Sequence, residues 1–197
     1  MMTLGAGLLA PLAGSVKFFS DVGDGLDEMS SRTGVGVEAL SELGLAAELS
    51  GADLQTLENG LRKMQKAIAG AAGGSKSAID ALGQLGLGVQ DLISLSPERQ
   101  FQLIADRISR IEDPTRRAAA AMEIFGKSGT RLLPMIADGA KGLEAFRRQA
   151  RELGLTISTA TAKDAARLAD SLDILWRVLK QGVFAIGAAL APEGTEG

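Results

Sequence analysis

Apolar residues in this chain recur at steps of three and four within short runs, and many of these runs are opened by proline or closed by glycine. That spacing constrains the chain more than any other feature. A repeat near 3.6 residues returns every third or fourth side chain to one face, so each run predicts an amphipathic helix. Leu12, Val16, Phe19, Val22, Leu26 and Met29 predict a first helix that ends before Gly34. A second begins near Val37 and carries Leu40, Leu43, Ala47 and Leu49. Ser50 and Asp53 form an S-x-x-D capping pattern for a third, through Leu54, Leu57, Leu61, Met64 and Ile68 to Gly70. Gly73-Gly74-Ser75 reads as a joint, with Ser75 or Ser77 capping a short helix that bears Ile79, Leu82 and Leu85.

Ser96-Pro97-Glu98 opens the next helix, with Ser as cap, Pro in the first turn and an acidic residue facing the positive helix end. Its apolar face is Phe101, Ile104, Ala105, Ile108 and Ile111. Asp113-Pro114 repeats the device ahead of Ala118, Ala121, Met122 and Phe125. A short helix is expected from Leu132 to Ala137, and another from Gly142 to Leu153 with Leu143, Phe146, Ala150 and Leu153 on one face. Thr161 and Asp164 cap the longest and last. In it Leu168, Leu172, Leu175, Leu179, Val183, Ile186 and Leu190 recur with nearly seven-residue periodicity as far as Pro192, with Trp176 as the one large anchor. A heptad stripe needs a second helix to cover it, so this seam is the candidate partner surface, met either by a second chain or by the preceding helices. Glu193 to Gly197 reads as a short disordered tail.

Composition agrees with an all-α class. Hydrophobic residues make up 46% of the 197 positions but aromatic ones only 4%, so the core must be built from Ala, Leu, Ile, Val and Met, and the clusters that strands prefer are scarce. Many of the 25 glycines fall between the amphipathic stretches and read as helix ends and bends. The chain contains no Cys, His or Tyr. Thiolate and imidazole nucleophiles, Ser-His triads and zinc sites built on His or Cys are thereby excluded, and so is a disulfide framework. A net charge of −3 argues against a dedicated nucleic-acid binder. The apolar N-terminus, MMTLGAGLLAPLAGSV, lacks a basic leading region and is interrupted by Pro11, so no signal peptide is expected. Val183 to Ala191 falls far short of the roughly 20 residues a membrane-spanning helix needs.

Four local features invite a chemical reading. Gly126-Lys127-Ser128 resembles the end of a phosphate-binding loop, but Ala121 stands where that pattern requires glycine, and the helix AAAAMEIF precedes it in place of a strand. Gly126 and Gly129 therefore read as a helix terminus and turn. Arg147, Arg148 and Arg151 form one basic cluster, and Arg107, Arg110, Arg116 and Arg117 another. Without interleaved aromatics both read as solvated faces. Glu98, Glu123, Glu144 and Glu152 could supply a carboxylate pair for glycoside hydrolysis, yet each lies on a predicted polar face. Finally, GVGVEALSEL from Gly34 and GLGVQDLISL from Gly86 look alike, as an internal duplication or as two glycine-punctuated helix starts. No catalytic, cofactor-binding or metal-binding residues are assigned, and no enzymatic activity is expected.

The block IEDPTRRAAAAMEIFGKSGTRLLPMIADGAKGLEAFRRQARELGLTIS, from Ile111 to Ser158, resembles a stretch of phage tail tape measure proteins and their prophage relatives. Its order carries the likeness. A Pro-opened, Ala-rich helix ends in Phe125-Gly126, a Ser128-Gly129 turn leads to Leu132-Leu133-Pro134, and a Gly142-Leu143 helix finishes in Leu153-Gly154. The strings SSRTGVGVEALSELGLAAELSG and LSPERQFQLIADRI resemble the segments that precede it, so the likeness extends from about Leu12 to Pro192. It implies a non-enzymatic, helical structural protein around which tail tube subunits assemble and whose length sets tail length, present in the host cytoplasm during assembly and then in the lumen of the tail. Implied partners are the tail tube protein and tail assembly chaperones, with self-association through the C-terminal helix, no specific nucleic acid, no stable transmembrane span, and transient membrane contact on ejection. Even wholly helical, the chain would span only roughly 300 Å, so the likeness implies a segment or short copy of a longer ruler. The expected organisation is an N-terminal apolar and amphipathic helix over 1–33, a tape-measure-like helical region over 34–157, and a long helix with its tail over 158–197. Competing readings are a compact all-α interaction module outside a virion, a membrane-active helical protein and, last, a cell-wall hydrolase using Glu98, Glu144 or Glu152.

Overall fold

In the computed structural model, residues 25–152 and 156–160 are described, and they are helical with no strand among them. The chain divides into two units, one formed by Leu26–Thr159 and the other by the residues on either side of it. Within Leu26–Thr159 the helices are α1 (residues 25–33, of which 26–33 belong to the unit), α2 (Val37–Leu49), α3 (Leu54–Ala72), α4 (Lys76–Gln84), the single turn α5 (Gln90–Ile93), α6 (Pro97–Ser109), α7 (Pro114–Phe125), a 3-10 turn over Gly126–Ser128, α8 (Gly129–Leu132) and α9 (Gly139–Glu152).

Helix α3 is the post around which the unit is built, touching α2, α4, α5, α6, α7 and α8. Its sequence explains why. Leu57, Leu61, Met64 and Ile68 return at helical spacing and are all buried, alongside Thr56, Glu58 and Ala71. On the other side of the unit, α9 packs against both α2 and α6. Phe101 of α6 and Phe125 of α7 meet in the core, with ring centroids 5.5 Å apart and planes tilted by 54°, a geometry aromatic pairs favour. Leu40, Leu43, Leu82, Leu92, Ile104, Leu132 and Leu143 complete a core that is almost entirely aliphatic.

The proline-led starts fall where expected, at Pro97 and Pro114, and Asp113 caps α7 by accepting from the Arg116 amide at 2.7 Å. Other local details differ. Asp53 alone caps α3, accepting from the Thr56 amide at 2.6 Å, while Ser50 instead closes α2 with its own amide on the Ala46 and Ala47 carbonyls. Ser75 occupies the cap position of α4, but its hydroxyl pairs with that of Ser77 rather than with the helix. On α7, which packs against α3, α4, α6 and α8, the buried residues are Ala120, Ala121, Ile124 and Phe125, whereas Met122 is exposed. The short helix expected over Leu132 to Ala137 lies earlier, over Gly129–Leu132, with turns through residue 138; Pro134 has no amide with which to continue it.

Two glycines inside helices have a packing reason to be there. Gly44 in α2 faces Leu54, and Gly60 in α3 faces Leu132 and Phe125, so small residues there let neighbouring chain pack close. Gly129 is the extreme case. A Cβ there would lie 2.2 Å from the Ala121 carbonyl oxygen, so α8 rests directly on the backbone of α7.

The paired strings at Gly34 and Gly86 share a local device. Both glycines have positive φ, +67° and +66°, and end a helix. The next residues, Val35 and Leu87, are buried, and a new helix opens at Val37 in one case and at Gln90 in the other, carrying buried Leu40 and Leu92.

The unit begins upstream of the expected boundary at residue 34. Leu26 and Met29 of α1 are buried, and Arg32 is paired with Glu58 of α3. The seam from Leu168 to Leu190, with Trp176, lies outside the described residues, as do Leu153 and Thr161; the described helical residues that precede Thr161 are 159 and 160.

Candidate functional site

The most concentrated polar chemistry in the unit is centred on α2. That helix starts at Val37, after Gly36 in extended conformation, and a row spaced i, i+3, i+4 places Glu38, Ser41 and Glu42 on one side of it. Glu42 is only 2% exposed. Burying a carboxylate is costly unless its charge is met by a partner and its lone pairs are filled. Here both conditions hold. Glu42 Oε2 accepts from Arg147 Nε at 2.7 Å and from Arg151 Nη1 at 2.9 Å, while Oε1 accepts from the Thr156 hydroxyl at 3.1 Å.

Helix α9 supplies both guanidiniums because positions 147 and 151 are one turn apart and share a face. Glu144, one turn before Arg147, braces them from the solvent side, at 2.7 Å from Arg151 and 3.8 Å from Arg147. Glu144 first, and then Glu42, raise the Arg151 guanidinium above its already high range.

Beyond α9, residues 156–159 lie across α2. The Ile157 amide donates to Ser41 Oγ at 3.0 Å, and that hydroxyl in turn donates to the Glu38 carbonyl at 2.9 Å. The Thr159 amide and hydroxyl both donate to the Glu38 carboxylate, the amide at 2.7 Å. The Thr159 amide, and then Glu38's own, hold the Glu38 carboxyl below its ordinary value near 4.5.

A second buried carboxylate, Glu58 of α3, is 5% exposed and ties α1 to α3. Arg32 Nε reaches Glu58 Oε1 at 2.7 Å, Gln55 donates to Oε2 at 3.3 Å, and Arg32 also pairs with Glu28 at 2.7 Å. The Gln65 side-chain amide donates to the Thr33 carbonyl at the same junction.

The residues singled out from sequence fall differently. Arg147 does not belong to a solvated face: it is 17% exposed and is spent on Glu42, whereas Arg148 and Arg151 are exposed, Arg151 pairing with both Glu42 and Glu144. In the other cluster Arg110 pairs with Asp106 at 2.6 Å, and Arg107 buries its Nε without a partner. Glu98, Glu123, Glu144 and Glu152 are spread over α6, α7 and α9, and Glu144 is held by arginine. Gly126-Lys127-Ser128 forms a 3-10 turn after helix α7, and Gly126 faces the aliphatic stem of Lys63.

Sequence reasoning passed over Glu42 and Glu58 altogether. Their local sequences, LSELGL and TLENGL, do not set them apart from Glu123 in AAMEIF, so nothing within a turn or two marks them as buried. The cluster is suited to holding three chain segments in register. With both Glu42 oxygens engaged, its chemistry is that of an ionic staple. Among the described residues no three acidic side chains gather as a metal site, and no helix is long and apolar enough to cross a membrane. No protein-family model, curated protein or solved structure matches this chain.

Proposed function

We propose that this chain is a segment of a phage or prophage tail tape measure protein, and that Leu26–Thr159 serves it as a folded docking module rather than as a length of ruler. The carrying observation is the order of the Ile111–Ser158 block, several of whose described residues also have a packing task. Phe125 packs on Phe101, Gly129 lets α8 rest on α7, Leu132 and Leu143 fill the core, and Arg147 holds Glu42.

Length argues for docking. A ruler converts residue count into distance at about 1.5 Å per residue, so Leu26–Thr159 drawn out as one helix would reach roughly 200 Å. The longest helix in the unit, α3 with 19 residues, extends only about 28 Å, and α2 and α4 to α8 pack on it rather than continue it. The module would then act through its surface, toward the tail tube protein or an assembly chaperone, while the Leu168 to Leu190 seam serves self-association. In this reading the protein assembles and has no reaction to catalyse. The packing of α2 and α4 to α8 on α3, with α9 on α2 and α6, also favours the second reading, a compact helical interaction module outside a virion.

Two measurements separate these readings. Tails purified from the phage or lysogen that produces the chain should yield peptides from residues 26–159 by mass spectrometry; their absence from tails that carry the tube protein would overturn the tail assignment. In-frame duplication of 26–159 should lengthen those tails by far less than 200 Å, whereas a full increment of that size would identify the segment as ruler.

A further inference from the structure

We propose that residues 156–159 form a releasable clip on α2, which opens while the rest of the unit stays folded. The inference concerns Leu26–Thr159 itself and holds whatever that unit docks onto. It follows from how the polar contacts are divided between two tiers. Glu42 Oε2 is held by Arg147 and Arg151 of α9, at 2.7 and 2.9 Å, and these bonds do not involve the segment. The segment's bonds with α2 are otherwise to Ser41 Oγ and the Glu38 carboxylate.

Departure of the segment would therefore leave no buried charge without a counter-charge, which is the usual reason a polar junction opens only with the whole fold. Glu42 would keep both guanidiniums, and Oε1, freed by Thr156, would lie at the edge the segment had covered. Glu38 is already exposed. The Ser41 hydroxyl would keep its bond to the Glu38 carbonyl. Residues 156–159 are each only half-buried, in contrast with Leu43 of α2 and Leu143 of α9, which are 1% and 0% exposed. Segments with few buried apolar contacts open at a free energy well below that of the global fold. A clip of this kind would let the chain from Ala160 onward be handed over without unfolding the module.

The test is residue-resolved hydrogen exchange on the full chain, followed by NMR. In the unaltered protein the Ile157 and Thr159 amides should exchange at least about a hundred-fold faster, after correction for intrinsic rates, than the Leu43 and Leu143 amides. Replacing both acceptors, Glu38→Ala with Ser41→Ala, should speed the two clip amides by a further tenfold or so and leave Leu43 and Leu143 within about twofold. Clip amides that exchange at the rate of Leu43 and Leu143 in the unaltered chain would overturn the proposal, and so would a double variant that accelerates all four alike. Glu42→Gln is the contrasting variant: it should speed Leu43 and Leu143 as well, because it loosens α2 from α9.

Discussion

Replacing Glu42 by Gln keeps the shape of the side chain and removes the charge that two arginines share. Removing one member of a buried ion pair costs about 3–5 kcal/mol when the other is left uncompensated in the interior. The structure discounts that figure in two ways. Arg151 is 43% exposed and keeps Glu144 at 2.7 Å, so it can be rehydrated and remain paired. Arg147 is only 17% exposed, and its remaining carboxylate, that same Glu144, lies at 3.8 Å. The glutamine can still accept one hydrogen bond, but its amide group meets guanidinium donors where a carboxylate oxygen stood. The expected loss is about 2–3 kcal/mol, which at this chain length lowers the melting temperature by roughly 5–10 °C. Urea titration followed by circular dichroism at 222 nm checks it, with an unchanged slope showing that the unfolded ensemble is the same. Glu144→Gln is the control, since an exposed pair contributes about 1 kcal/mol or less. A Glu42→Gln protein within about 0.5 kcal/mol of the parent would refute the reasoning, because the buried carboxylate would then hold nothing together.

Two further outcomes follow from the geometry. Gly129→Ala should destabilise by about 3 kcal/mol, at the upper end of overpacking costs, because the new methyl would sit 2.2 Å from the Ala121 carbonyl oxygen; at an unhindered helical position the same change would stabilise, so a raised melting temperature in a thermal scan would contradict the close approach. The contact between Glu38 and Thr159 should weaken in acid: the folded pKa of Glu38 lies below its ordinary 4.5, so the stabilisation is fully present above about pH 4.5 and is lost as the pH falls through the lower folded value. The Thr159 amide shift in NMR should titrate with that carboxyl, and Glu38→Gln should abolish the titration.

Much of this architecture was legible because local rules and tertiary demands agree. The run Leu57, Leu61, Met64 and Ile68 predicts the buried face of α3, and Ser96-Pro97 and Asp113-Pro114 place two helix starts, since a proline in the first turn gives up an amide the helix does not use. What was misread are positions where the neighbour decides. Met122 and Ile124 are both apolar, and only the placing of the helices around α7 selects which is covered. Gly129 looks like any turn glycine until the α7 backbone is found against it.

By itself, then, the sequence determined that this chain is helical, roughly where its helices begin and end, and which chemistries its missing Cys, His and Tyr deny it. Those properties depend on residue type and on spacing within a turn or two. Tertiary structure alone decided which charges are functional candidates, because desolvation depends on what the rest of the chain places overhead. Glu42 is buried by Arg147 and Arg151, more than a hundred residues away, and a periodicity that reads one helix at a time has no access to that distance.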